Sequence, residues 1–130
     1  MRFLSQRVGR IFAYGKPVDL RKGFTGLQAL VQSQLGDDPL GGDLFVFFNR
    51  RGNLLKCLLW DRTGFVIVAK RLEQGKFRLR SDGDRLELDE RRLSLLFDGL
   101  PVGGIKAEAN VPDIRGPLPA GSFSQRRSRR

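Results

Sequence analysis

The stretches LFVFF at residues 44–48, LLKCLLW at 54–60 and FVIVA at 65–69 decide the fold. Each is a compact apolar run bounded by turn residues, a pattern typical of β-strands. The intervening segments, NRRGN and DRTG, each contain a glycine that can take the positive φ of a tight turn. The pattern predicts successive β-hairpins. Because the first and third runs are almost wholly apolar, we expect both faces of the sheet to be at least partly covered.

Three further segments are predicted to be strands. Residues 76–80 alternate Phe77 and Leu79 with basic side chains, which predicts a fourth strand and an antiparallel meander of four. Residues 10–14 mix β-formers and stop at a Gly-Lys-Pro turn, so we expect a short strand there. Residues 85–88 alternate polar and apolar side chains and predict another.

Between residues 20 and 35 the period changes to that of an α-helix. Apolar residues recur at spacings of four, three, four and four, at Leu20, Phe24, Leu27, Val31 and Leu35. We expect Asp19 to be the N-cap of this helix, because its carboxylate can accept hydrogen bonds from the free N–H groups of the first turn. Gly36 can supply the left-handed residue that ends the helix.

A second helix is predicted after Asp89, which can cap it, and before Asp98-Gly99, which can end it. The fold class is therefore α+β, an antiparallel β-meander of about four to five strands with two short helices. Residues 1–100 form a single domain on this interpretation. Residues 101–130 are rich in proline, glycine and arginine, a composition typical of a flexible basic tail.

The charge balance points to a polyanionic partner. Lys and Arg number 24 against 14 Asp and Glu, which gives a formal net charge of +10. Nucleic acid is the first candidate and an anionic membrane surface the second. Ten phenylalanines and a 40% hydrophobic composition indicate that the charge is carried by a folded body. The alternative is a protein that is merely basic.

The chain has no histidine and a single cysteine, Cys57. This excludes Ser-His-Asp and Cys-His centres as well as a structural zinc site built from the usual ligands. A phosphate-binding P-loop motif is also missing. Carboxylates could still hold Mg²⁺ in a nuclease, at Asp61, Glu73, Asp82, Asp84 and Asp89. Turn and cap roles explain nearly all of these, so we expect no catalytic residues, no metal and no cofactor.

Neither a secretory signal nor an apolar run of roughly 20 residues, long enough to cross a bilayer, is visible. Cys57 lies within an apolar run and suits a reducing compartment. We therefore expect a cytoplasmic protein without membrane contact.

The predicted meander gathers basic side chains at one end of the sheet, because its first and third turns emerge on the same side. The residues concerned are Arg50, Arg51, Lys70, Arg71 and Lys76. Clustered cations of this kind can neutralise successive DNA phosphates without reading sequence. The alternative is an ordinary solvated set of charges.

Arg21 and Lys22 fall in the first turn of the first predicted helix, where the helix dipole makes cations unfavourable. With the free N–H groups of that turn they could form a phosphate cradle, although Asp19 competes for the same donors. We add both residues to the candidate DNA contacts.

A set of short motifs, in this order along the chain, resembles one protein family. The motifs are GRIF at 9–12, DLRKGF at 19–24, GL at 26–27, ALV at 29–31, LFVF at 44–47, NRRG at 49–52, Lys56, WD at 60–61, GF at 64–65, KRLE at 70–73 and GKF at 75–77. They are similar to the TnpB accessory protein, the second open reading frame of the IS66 class of bacterial insertion sequences. The resemblance implies a role in transposition beside a separate transposase that supplies the catalytic acidic residues. DNA and other transposition proteins of the same element are the implied partners.

Three functions remain open at this point. The first is a DNA-binding accessory subunit of an insertion sequence. The second is a protein adaptor that bridges transposase subunits without touching DNA. The third, and least favoured by the residues, is a carboxylate-metal nuclease.

Overall fold

The computed structural model describes residues 8–80, 83–103 and 105–106. These residues form eight strands and two helices, and the α+β class is confirmed. In chain order the elements are β1 (Ile11–Tyr14), α1 (Phe24–Gln34), β2 (Leu44–Phe48), β3 (Leu54–Trp60), β4 (Phe65–Arg71), β5 (Leu79–Arg80), β6 (Arg85–Leu88), α2 (Glu90–Phe97), β7 (Val102–Gly103) and β8 (Ile105–Lys106).

Six strands form the main sheet, in the order β4-β3-β2-β1-β6-β8. The hairpins β2–β3 and β3–β4 are antiparallel, as predicted. β1 lies beside β2 and is parallel to it, with α1 as the crossover between them. β6 covers the other edge of β1 in antiparallel pairing. The N-terminal strand is therefore central to the sheet.

The prediction that residues 76–80 form a fourth strand of the meander is wrong. The chain leaves the sheet after β4 through Gly75, whose φ is +82°. The N–H of Phe77 donates to the carbonyl of Gly52 at 2.8 Å, and only Leu79–Arg80 forms a strand, parallel to β7 in a separate two-stranded sheet. Phe77 is 8% exposed in the core, a burial that pairing along the edge of β4 would not provide.

The two faces of the main sheet each carry a core, because successive side chains of a strand point to opposite faces. α1 packs on one face, and the buried side chains there are Phe12, Tyr14, Leu20, Leu27, Val31, Leu35, Phe45, Phe47 and Leu58. α2 and the small sheet pack on the other, with Ile11, Ala13, Leu44, Val46, Leu55, Cys57, Leu59, Phe77, Leu86, Leu88, Leu93, Leu96 and Val102. The expectation that both faces are covered is confirmed.

The first helix starts later than predicted, and Asp19 is not its N-cap. α1 begins at Phe24 after Gly23, which makes no side-chain cap. Asp19 instead closes a turn: its Oδ1 accepts the N–H of Arg21 at 3.0 Å, and its carbonyl accepts the N–H of Lys22 at 3.3 Å. Leu20 lies in that turn, and its side chain is buried. Its spacing to Phe24 is that of a helix, although Leu20 lies outside α1. Gly36 ends the helix region as expected, with a φ of +62°.

The second helix follows its prediction. Asp89 is the N-cap of α2, and its Oδ1 accepts the N–H of Arg92 at 2.7 Å. Gly99 follows the helix with a φ of +81°. In the described part of the chain, neither helix is long and apolar enough to cross a membrane.

β7 and β8 lie within the stretch expected to be tail. Val102 is 5% exposed in the core beside α2, and β8 pairs with β6. Residues 107–130 lie outside the described residues, so a basic tail there remains a prediction.

Candidate nucleic-acid interface

The C-terminal ends of the parallel strands β1 and β2 define what we call the basic end of the sheet. The β2–β3 turn, residues 49–53, lies here. The end of β4 lies here too, because Leu54 is opposite Arg71 and Leu55 is opposite Lys70. The N–H of Leu72 donates to the carbonyl of Asn53 at 2.8 Å and holds the third turn against the first.

The β2–β3 turn has a fixed backbone. Asn49 organises it: its Nδ2 donates to Oδ1 of Asn53 at 2.8 Å, and its Oδ1 accepts the N–H of Leu54 at 3.0 Å. Gly52 takes a φ of +76°. Arg50 and Arg51 lie at the exposed tip. The turn therefore presents two adjacent guanidinium groups from a rigid support.

Lys76 lies against this turn. A Cβ added at Gly52 would lie 3.6 Å from the Cβ and the Cδ of Lys76, so the aliphatic part of the lysine passes over the glycine. The first and third turns thus meet as the topology predicted. Arg50, Arg51, Arg71 and Lys76 are all exposed, and no ion pair among the described residues involves them.

Lys70 has a different position from the other predicted cations. Its Nζ donates to the carbonyl of Phe97 at 2.7 Å, at the C-terminal end of α2. A cation at that end satisfies free carbonyl groups and opposes the negative end of the helix dipole. Through this contact, Lys70 connects β4 to the end of α2.

The loop that carries Arg21 and Lys22 also starts at the basic end, where the N–H of Val18 donates to the carbonyl of Phe48 at 2.9 Å. Arg21 is paired within the loop, since its Nε and Nη2 donate to the Asp19 carboxylate at 2.9 and 2.8 Å. These bonds hold the pKa of Asp19 far below its usual value.

The predicted phosphate cradle does not form as expected, because Arg21 and Lys22 precede α1 rather than occupy its first turn. Lys22 packs closely on the helix instead. A Cβ added at Gly26 would lie 2.6 Å from the Cβ of Lys22. Arg21 and Lys22 are both exposed, in a loop that begins at the basic end.

Lys56 fixes this loop to the sheet and was not among the predicted site residues. It lies in the middle of β3, and its Nζ donates to the carbonyl of Leu20 at 2.7 Å. The sequence offered one sign that Lys56 has a specific role, since it is the single lysine in an otherwise apolar strand. It does not show that the partner is the carbonyl of Leu20.

A cleft of about 200 Å³ opens at the basic end. Its lining residues are Gly15, Lys16, Pro17, Phe48, Asn49, Arg50, Gly52, Phe77 and Leu79. Lys16 pairs loosely with Asp84 at 3.4 Å, and both side chains are more than half exposed. The cleft thus combines an apolar floor with a cationic rim.

Three of the carboxylates considered for a metal site, Asp61, Asp84 and Asp89, have local roles, and Glu73 is exposed after β4. Asp61 closes the β3–β4 turn by accepting the N–H groups of Thr63 and Gly64, which lower its pKa. Asp84 faces Lys16, and Asp89 caps α2. Asp82 lies outside the described residues. Among the residues that are described, no group of three or more His, Cys, Asp or Glu side chains is placed to hold a metal ion.

Comparison with known proteins identifies related chains. The family described as IS66 Orf2 like protein matches residues 9–107. Two uncharacterized proteins of Sinorhizobium fredii strain NGR234 are similar to this chain. The protein y4jC is 44% identical over 98 residues, which cover 75% of this chain and 84% of y4jC. The protein y4hO is 40% identical over 83 residues, 63% of this chain and 72% of y4hO. No solved structure matches the chain significantly.

Proposed function

This chain belongs to the IS66 Orf2-like family, an accessory protein family of insertion sequences, and from that premise we propose that it binds DNA during transposition. On this proposal a separate transposase performs the chemistry, and the chain contributes affinity for the DNA backbone. Its partners are DNA and the other transposition proteins of the element, and its place of action is the cytoplasm.

The observation that carries the proposal is the set of four exposed cations at the basic end, Arg50, Arg51, Arg71 and Lys76. Their backbones are held together by the hydrogen bonds of Leu72 and Phe77 to the β2–β3 turn. Because the backbone is already ordered, binding has to order only the cationic side chains, and each phosphate neutralised releases counterions. Such contacts position DNA without selecting its sequence.

The proposal is tested by measuring duplex affinity across a range of salt concentrations. The double variant Arg50→Ala/Arg51→Ala removes two cations from the basic end. If each neutralises one phosphate, the log–log salt slope should become less steep by about 2, with a loss of affinity at low salt.

A matched control removes the same charge from the opposite end of the sheet. Arg62 lies in the β3–β4 turn and Arg91 at the start of α2, and both are exposed. Arg62→Ala/Arg91→Ala should leave the slope unchanged. A flat salt dependence in the native protein, or equal effects of the two double variants, would contradict DNA binding at the basic end.

A further inference from the structure

β4 forms an open edge of the main sheet. Within the described chain its only strand neighbour is β3, while β2, β3, β1 and β6 each pair on both sides. The strand is seven residues long, and its first four side chains, Phe65 to Val68, are half-buried. A long apolar edge of this kind is a template for pairing with another strand.

The register identifies which backbone groups face outward. The N–H of Asp61 donates to the carbonyl of Gly64 and that of Leu72 to the carbonyl of Asn53, so hydrogen-bonded pairs lie at both ends of the β3–β4 hairpin. Pairs of this type alternate along an antiparallel ladder. The outward N–H and C=O groups are therefore those of Phe65, Ile67, Ala69 and Arg71.

The edge is complementary to itself. If two copies of β4 run antiparallel about a twofold axis at Val68, Ile67 pairs with Ala69 and Phe65 with Arg71 of the second copy. Outward groups then meet outward groups, with up to about eight N–H···O bonds. Lys70 lies opposite Val66, so each cation of the strand faces an apolar side chain and like charges are never directly opposed.

We propose that two copies of this chain associate through β4 in this register and form one continuous sheet. A second copy is favoured over an unrelated strand because β4 has an apolar first half and a cationic end. When two copies pair antiparallel, the cationic end of each lies opposite the apolar half of the other. The strand also has none of the usual protections of an edge at its apolar end: it contains no proline, and its two charges follow Ala69. Pairing through β4 does not require DNA.

The first test measures the mass of the full chain in solution by light scattering after size exclusion. The native protein should have about twice the 14.7 kDa of one chain. Ala69→Pro removes the outward N–H of residue 69. Proline cannot donate the hydrogen bond that pairing with a second copy needs at this position, so the variant should be monomeric. Ala69→Val keeps the N–H and should remain dimeric. Circular dichroism confirms that both variants are folded.

The second test probes the register. Val68 would face Val68 of the second copy at a non-hydrogen-bonded position, where Cα atoms are about 4.5 Å apart and within disulfide range. Cys57 lies opposite Val68 in β3 and could form an internal disulfide with a cysteine there, so it is first replaced. Oxidised Cys57→Ala/Val68→Cys should form a covalent dimer, and Cys57→Ala alone is the control.

Two outcomes would overturn the proposal. A native protein that is monomeric at all concentrations has no such interface. A dimer that survives Ala69→Pro, or that is not crosslinked by Cys57→Ala/Val68→Cys, associates through another surface or in another register.

Discussion

Lys70 and Arg71 are neighbours in the chain, but they project to opposite faces of the sheet. Lys70 reaches the last carbonyl of α2, and Arg71 remains exposed at the basic end. The sequence placed both at the correct end, because that follows from hairpin topology. It could not separate their roles, because the partner of Lys70 lies 27 residues further along the chain.

This difference gives a prediction for the pair. Lys70→Met should lower the free energy of unfolding by about 1–2 kcal/mol, since it removes a hydrogen bond from a charged donor. Arg71→Met should change stability by less than about 0.5 kcal/mol, but it should weaken DNA binding. Urea denaturation and duplex titration of both variants check the two halves. Equal stability losses would show that the contact between Lys70 and Phe97 contributes nothing specific.

Asp43 gives a prediction on pH. Burial raises its pKa above the ordinary value, and the nearby Asp37 adds to the effect, while the N–H of Arg10 donates to its Oδ1 at 2.8 Å. A raised pKa means that the folded state binds the proton more tightly, so the ionised form opposes folding at neutral pH. Asp43→Asn keeps the acceptor and should stabilise the protein by less than about 1 kcal/mol at pH 7. Thermal unfolding across pH should show the gain disappearing as the pH falls through the pKa of Asp43 in the folded state.

At the scale of elements, local signals set most boundaries. β2, β3, β6 and the cap of α2 lie where turn chemistry and alternation placed them, because those signals are contained within a few residues. The start of α1 was misplaced, because Leu20 and Phe24 share a helical spacing. Phe24 is nevertheless 49% exposed, and Leu20 is buried from the turn that Asp19 closes.

The contact of that turn with α1 gives a prediction about Gly26. Replacing a glycine inside a helix by alanine normally gains up to about 1 kcal/mol. Here the new Cβ would lie 2.6 Å from the Cβ of Lys22, so the backbone of the loop must shift. Overpacking costs about 1–3 kcal/mol, and we expect Gly26→Ala to destabilise the protein despite its helix propensity.

Thr25→Ala is the control, because Thr25 is an exposed neighbour in the same turn. It should be neutral or slightly stabilising in the same urea titration. A gain of stability in Gly26→Ala would mean that the loop yields without cost.

For the whole molecule, the feature that the sequence predicted least well is the position of β1 in the sheet. Residues 10–14 were predicted as a strand, but their position between β2 and β6 depends on partners 33 and more residues away. Local patterns carry no information on such pairings. The same limit explains residues 76–80, whose alternation suited a strand but whose Phe77 packs beneath the sheet.

The folded unit also extends beyond residue 100, which gives a prediction about Val102. This side chain lies in the core on the α2 face, so Val102→Ala should lower the free energy of unfolding by about 1–3 kcal/mol. Leu100 is 47% exposed, and Leu100→Ala should have little effect. Chemical denaturation of both variants compares them directly. Similar small losses would place the end of the cooperative unit before Val102.

The antiparallel pair of β1 with β6 has a consequence for biosynthesis. Ile11 is opposite Leu88, so the ribosome must translate most of the described chain before the middle of the sheet can close. Until then the nascent polypeptide exposes one side of a wholly apolar strand to other chains. A prematurely terminated product that lacks residues 85–88 would keep that side open permanently, which makes truncated copies of this protein candidates for aggregation and rapid proteolysis.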